Sequence, residues 1–164
     1  MIGVVLAAHG EVAPALLKAA ETIVGPLEAV KAISLGAGNS PEAMRAAVVD
    51  AVGQVDHGEG VLLLVDMFGG TPFNMCLSTQ CGVCIEVVTG VNLPMLLKLA
   101  SARPTATNLQ EVAAQIALYG QRNISHASAL MRERRRAAEA AAANRPPPAA
   151  ERSSLAPVNF AAAS

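Results

Sequence analysis

The sequence contains very few aromatic residues. Of 164 residues, none is tryptophan, one is tyrosine and three are phenylalanine. Proteins that stack nucleic acid bases or sugars depend on aromatic side chains, so this scarcity argues against that kind of binding. Hydrophobic residues nevertheless make up 52% of the chain, so its apolar content is almost entirely aliphatic, and the length suits about one domain.

The chain also lacks a large excess of either charge, with 12 basic and 13 acidic side chains. This balance disfavours both a uniformly basic nucleic-acid binder and an acidic disordered chain. The charges are unevenly distributed, because residues 1–131 carry 6 basic and 10 acidic groups and residues 132–164 carry 6 basic and 3 acidic. The last 28 residues contain 12 alanines and 4 prolines. We therefore expect an ordered domain over residues 1–131 and a basic, Ala/Pro-rich, disordered tail over residues 132–164.

No hydrophobic run is long enough for a membrane helix, which needs ~20 mostly apolar residues. The strongest run, Val61–Val65, ends at Asp66, and no Lys or Arg precedes the apolar start, so a signal peptide is not expected. Cysteine is also scarce, and three thiols cannot all pair, which favours a reducing compartment. These cysteines are Cys76, Cys81 and Cys84. The sequence predicts a cytoplasmic protein without membrane insertion.

Apolar runs of strand length alternate with segments of helical spacing. The predicted strands are Ile2–Ala7, Ala29–Leu35, Val61–Val65 and Val83–Val88. The predicted helices are Glu11–Val24, one from Ser40-Pro41 to about Val55, one starting at Thr71-Pro72, Leu93–Ala102 and Leu109–Tyr119. This alternation predicts an α/β fold with a mainly parallel, flavodoxin-like open sheet of order 2-1-3-4 and helices on both faces. Asn123–Leu130 fits either a short final strand or a helical extension.

Two polar residues follow strands that would be neighbours in this sheet. His9 follows the first strand and Asp66 follows the third, at the sheet edge where ligands bind in such folds. An aspartate can hold one imidazole nitrogen as N–H and leave the other as a nucleophile. Each residue also has a purely structural alternative, His9 as a capping side chain and Asp66 as an acceptor for its own loop.

The segment Gly69-Gly70-Thr71-Pro72 predicts an anion site beside these residues. Two glycines allow a ligand close to the backbone, and a following helix would present free N–H groups and a positive dipole end. A nucleophilic histidine, an orienting aspartate and an anion site together suit phosphoryl transfer through phosphohistidine, which requires no cofactor and no metal. A nucleotide-binding phosphate loop is absent. The Cys81–Cys84 motif leads into a strand rather than a helix, and three cysteines are too few for a structural zinc site, so the sequence disfavours a redox or metal role.

Three segments resemble the signature loops of a known family. They are Ala8-His9-Gly10, the run from Val65 to Asn74, and the run from Thr89 to Leu96. They look like the loops of IIA components of the mannose (mannose–fructose–sorbose) class of the bacterial sugar phosphotransferase system. The resemblance covers roughly residues 1–130. It implies that His9 takes a phosphoryl group from the phosphocarrier protein HPr and passes it to a cysteine or histidine of a IIB component.

The resemblance carries further expectations. Asp66 would hydrogen-bond the His9 imidazole, and Gly69, Gly70 and Thr71 would bind the phosphate. Family members are homodimers that exchange a C-terminal strand, which would make Asn123–Leu130 a fifth, antiparallel edge strand, and the IIB partner is expected to be a separate chain. Two alternatives stay open: a regulatory phosphorelay module without sugar transport, and a phosphoryl donor subunit for dihydroxyacetone kinase.

Overall fold

Four parallel strands form the sheet that positions the candidate site. The computed structural model of the protein describes residues 1–36, 38–70, 74 and 83–144. The strands are β1 (Gly3–His9), β2 (Val30–Leu35), β3 (Val61–Val65) and β4 (Ile85–Thr89). Their order is β2-β1-β3-β4 and every neighbouring pair is parallel, which confirms the predicted order.

Helices follow the strands as the sequence predicts. They are α1 (Val12–Val24), α2 (Pro41–Val55), α3 (Leu93–Ala102), α4 (Leu109–Arg122) and α5 (Ala127–Ala143), with a 3-10 turn at Arg103–Thr105. Ser40 caps α2 and Asn92 caps α3 by accepting a hydrogen bond from a backbone N–H in the first turn, and each helix has proline near its start. The helix predicted from Thr71-Pro72 lies outside the described residues, apart from the helical Asn74.

The sheet is covered on both faces, which confirms the layered α/β architecture. All five residues of β3 are fully buried, as a continuous aliphatic strand in a parallel sheet should be. Alternate residues of β1 enter opposite cores, because successive side chains of a strand point to opposite faces. Val4 and Leu6 pack with α1, α3 and α4, whereas Val5 and Ala7 pack with α2.

The chain forms two compact units, Met1–Ile124 and Ser125–Ser164. The expected boundary after residue 131 falls inside α5, so residues 132–143 of the predicted disordered tail are helical, and α5 has no buried residue. Asn123–Leu130 forms no fifth strand within this single chain: residues 123–126 form a turn and coil, and Ala127–Leu130 is the first turn of α5 rather than an extension of α4. Alanine has the highest helix propensity, and α5 is rich in it. None of the helices described is both long enough and apolar enough to cross a bilayer.

A buried arginine links the segments that precede β1 and β2, at the edge of the sheet opposite the candidate site. Arg103 is only 5% exposed, and its guanidinium donates to the backbone carbonyls of Ile2 at 3.4 Å, Ala29 at 3.2 Å and Glu28. Burial lowers the pKa of Arg103 below its usual value, and the charge of Glu28 partly offsets this. Ala29 has a φ of 50°, a conformation that is uncommon for a residue with a side chain. The guanidinium therefore stabilises an unfavourable turn before β2.

Replacing Arg103 by methionine is expected to lower the free energy of unfolding by about 2–4 kcal/mol, because the carbonyls of Ile2, Glu28 and Ala29 each lose a hydrogen bond from the guanidinium. Urea denaturation followed by circular dichroism would measure the change. Arg45→Met, at an exposed position of α2, is the matched control and should change stability by no more than about 0.5 kcal/mol. Equal stability of the two variants would contradict a structural role for Arg103.

Candidate functional site

His9 and Asp66 meet at the carboxyl edge of the sheet. His9 is the last residue of β1 and Asp66 immediately follows β3, its neighbour in the sheet. Oδ2 of Asp66 lies 2.8 Å from Nδ1 of the His9 ring and accepts the backbone N–H of His9 at 3.0 Å. The His9 side chain is 43% exposed and that of Asp66 is 18% exposed. One carboxylate oxygen therefore holds both the ring and the backbone of a histidine that another molecule can reach.

The carboxylate is held in its ionised form. Burial raises the pKa of Asp66, but hydrogen bonds from the backbone and ring of His9, attraction to the ring, and the N–H of Met67 outweigh burial. The pKa therefore lies below its usual value of 3.8. An ionised carboxylate can only accept a hydrogen bond, so Nδ1 must carry the ring proton. In the neutral ring Nε2 is then the nitrogen with a free lone pair, and it makes no hydrogen bond with the residues that the structure describes.

The lowered pKa of Asp66 predicts a pH-dependent contribution to stability. Because the folded-state pKa lies below the unfolded value, the contribution is fully present above the unfolded value and is lost as the pH falls through the folded value. The difference in unfolding free energy between the wild type and Asp66→Asn should thus be larger at about pH 5 than at about pH 2.5. Urea titrations of both proteins at the two pH values measure it. A difference that grows on acidification would contradict the assigned direction.

The segment from Thr89 to Leu96, the third that resembles the family, holds the backbone next to Asp66 in place from the adjacent strand, β4. The backbone N–H of Val91 donates to the carbonyl of Val65, the residue before Asp66, at 3.0 Å. Asn92 then caps α3 by accepting from Met95 at 3.2 Å and also donates to the carbonyl of Gly120 at 3.4 Å. The segment therefore fixes the end of β3 and has a structural role that its sequence alone did not reveal.

The predicted phosphate-binding residues are only partly described. Gly69 has a φ of +72°, and its carbonyl accepts from the side-chain amide of Asn74 at 3.3 Å. The carbonyl of Gly70 accepts from the backbone N–H of Asn74 at 3.0 Å. Thr71 lies outside the described residues. The structure thus brings Gly70 to the His9 ring, where an added Cβ would lie 3.1 Å from Cε1, a contact that sequence reasoning missed because it depends on the path of the loop.

The cysteines do not join this site among the residues described. Cys84 has an exposed free thiol just before β4, and β4 follows it as predicted. Cys76 and Cys81 lie outside the described residues. No group of three or more His, Cys, Asp or Glu side chains in the described part of the chain could hold a metal ion.

Comparison with known proteins identifies the family. The model of the family described as "PTS system fructose IIA component" matches residues 3–117, a range that includes β1 to β4 and both His9 and Asp66. The chain belongs to the mannose-class IIA family of the phosphotransferase system (PTS). This confirms the resemblance carried by the three signature segments, and members of this IIA family are phosphotransfer proteins.

Individual IIA relatives agree with this membership. The mannose-specific EIIAB component of Escherichia coli K12 is 33% identical over 129 residues, which is 78% of this chain and 40% of that protein. This chain therefore spans less than half the length of that relative. The EIIA component from Streptococcus agalactiae has a TM-score of 0.71 at 28% identity and is covered over 99% of its length by 79% of this chain. The mannose/sorbose-specific IIA subunit from Enterococcus faecalis has a TM-score of 0.68 at 26% identity, with 92% of that chain and 76% of this one covered.

Proposed function

We propose that this IIA protein is a cytoplasmic phosphoryl carrier in which His9 accepts a phosphoryl group from phosphorylated HPr and donates it to a IIB component. The observation that supports this most directly is the 2.8 Å contact between Nδ1 of His9 and the ionised carboxylate of Asp66. In the neutral ring this contact selects the tautomer with a free Nε2 lone pair, on a side chain that is 43% exposed. A general base is therefore unnecessary, because the attacking nitrogen carries no proton.

The transfer step balances without any cofactor. The Nε2 lone pair forms a bond to phosphorus while the bond between phosphorus and the donor atom breaks, and that electron pair stays with the donor. The imidazole retains its proton on Nδ1 and becomes positively charged when phosphorylated. The carboxylate of Asp66 stabilises that charge at hydrogen-bond distance. Donation to IIB is the reverse process with a different partner at Nε2.

The predicted phosphate contacts remain part of this proposal. Gly69, Gly70 and Thr71 would bind the transferred group through backbone N–H groups and the Thr71 hydroxyl. Oδ2 of Asp66 is already engaged by His9, so the carboxylate orients the ring rather than binding the phosphate. A carboxylate would in any case repel a phosphoryl oxygen.

The loop around the site also offers a surface to protein partners. Met67 and Phe68 are 54% and 75% exposed in the loop that follows β3. Exposed apolar side chains in the loop that follows Asp66 suit transient contact with other proteins, because aromatic residues and methionine are enriched at interfaces. A homodimer is proposed as well, since β4 is an edge strand of the described sheet.

Reconstituted phosphorylation tests the proposal. Incubation with phosphoenolpyruvate, enzyme I and HPr should give one phosphate per chain that is labile in acid and stable in base. Added IIB of the mannose class should then remove it. If the phosphate passes only to a dihydroxyacetone kinase complex, the IIB assignment fails. If it passes to no acceptor but changes binding to a regulatory protein, the regulatory alternative replaces transport.

A further inference from the structure

Gly70 lies directly against the imidazole of His9. A Cβ added to Gly70 would lie 3.1 Å from Cε1 of the ring and 3.0 Å from Cγ of Met67. Ordinary van der Waals contact begins near 3.4 Å, so a methyl group there would require both neighbours to give way by a few tenths of an ångström. The φ of Gly70 lies outside the left-handed region. Alanine at this position would therefore be crowded by its neighbours, but it would not have to adopt a left-handed backbone conformation.

We propose that Gly70 is a positioning residue for His9, acting through the absence of a side chain. Its bare Cα leaves the space in which the ring lies while Nδ1 contacts Asp66. This inference rests on the proposed phosphoryl-carrier function. It is separate from the expected phosphate contact, because it concerns the ring of the unphosphorylated protein and not any group bound to Nε2.

The ring has little freedom to avoid an added methyl group. Its Nδ1 is held 2.8 Å from Oδ2 of Asp66, and the same oxygen holds the His9 backbone N–H at 3.0 Å. The Val91 N–H fixes the carbonyl immediately before Asp66. A tilt of the ring away from Gly70 would therefore lengthen or bend the Nδ1 hydrogen bond. That bond selects the tautomer with a free Nε2, so a small displacement reduces the reactive population as well as its alignment.

The Met67 side chain closes the other side of this space. Its Cγ is the second carbon of the side chain, so it can move away from Gly70 only if the first side-chain torsion changes rotamer. Met67 and His9 thus limit the same small volume. Shortening Met67 should relieve part of the crowding that a side chain at position 70 creates.

The central experiment compares Gly70→Ala with Gly36→Ala. Gly36 follows β2 at the same edge of the sheet and is also outside the left-handed region. Among the described residues, its added Cβ would contact only the backbone nitrogen of Gly10, at 3.8 Å. Nitrogen-15 NMR of the unphosphorylated proteins reports the His9 tautomer, and initial rates of phosphorylation by HPr report reactivity. For Gly70→Ala we expect a smaller fraction of the Nδ1-protonated tautomer and a rate reduced about tenfold or more. For Gly36→Ala we expect unchanged ring signals and a rate within about twofold of the wild type.

A rescue variant distinguishes displaced geometry from lost stability. Met67→Ala added to Gly70→Ala should restore the ring signals and most of the rate, measured relative to Met67→Ala alone. A wild-type rate for Gly70→Ala would overturn the proposal. So would a slow Gly70→Ala whose His9 signals match the wild type, because the defect would then lie in phosphate contact. If the wild type itself accepts no phosphate, the carrier function fails, but the NMR comparison still decides whether Gly70 positions the ring.

Discussion

Replacing His9 by alanine is expected to abolish phosphorylation of this chain by HPr. The variant removes Nε2, which among the described residues is the only atom presented as a nucleophile beside an orienting carboxylate. No other described side chain pairs an exposed nitrogen with Asp66, so residual transfer should not exceed background. Radiolabelled phosphoenolpyruvate with enzyme I and HPr measures incorporation directly, and the effect should be a complete loss of acid-labile label.

The other two histidines provide the matched controls. His57 and His126 are both exposed, so His57→Ala and His126→Ala remove an accessible imidazole without touching the sheet edge. Both should be labelled at the wild-type level. Label that persists in His9→Ala, or that disappears in either control, would assign the phosphate to another residue. Thermal unfolding of all three variants separates loss of the nucleophile from loss of the fold.

The strand order and the reactive pair could be predicted because both follow from local sequence. A continuous aliphatic strand such as Val61–Val65 is apolar on both faces, and it buries both of them when the sheet is covered by helices on each side. Parallel strands then place the residues that follow them at one edge, which brings Asp66 to His9 without any knowledge of side-chain contacts. The two glycines between β3 and a predicted helix indicated an anion-binding loop in the same way. They could not show which atoms the glycines approach, because that depends on the path of the loop.

The features that the sequence did not reveal depend on contacts between distant segments. Arg103 is a residue type that is rarely buried, and only the meeting of three carbonyls from the start of the sheet explains its position. From the sequence Gly70 is predicted to be a turn residue, and only the structure shows that it lies against the His9 ring. The segment from Asn123 to Leu130 was ambiguous because its side chains suit either state, and no buried partner decides between them in the described chain.

Replacing Asp66 by asparagine is expected to slow phosphorylation of His9 by about 10²- to 10⁴-fold. The amide has nearly the same shape as the carboxylate, so it tests the charge and the acceptor character rather than packing. An NH₂ group in the place of Oδ2 would favour the tautomer with the proton on Nε2, but it would also face the backbone N–H of His9, which Oδ2 accepts at 3.0 Å. Asparagine also removes the negative charge that stabilises the phosphorylated, positively charged ring. The wild-type carboxylate does both tasks through Oδ2, at 2.8 Å from Nδ1.

The charge and the tautomer make separable contributions in this variant. If the tautomer dominates, the phosphorylation rate of Asp66→Asn should fall while the phosphohistidine, once formed, persists as in the wild type. If the charge dominates, the phosphorylated form should also hydrolyse or return its phosphate to HPr faster. Asp50→Asn is the control, because Asp50 is exposed on α2 and bonds only Gln54 among the described residues, and it should leave both rates unchanged. A wild-type rate for Asp66→Asn would show that neither task is needed, and His9 would then have to be oriented by its backbone alone.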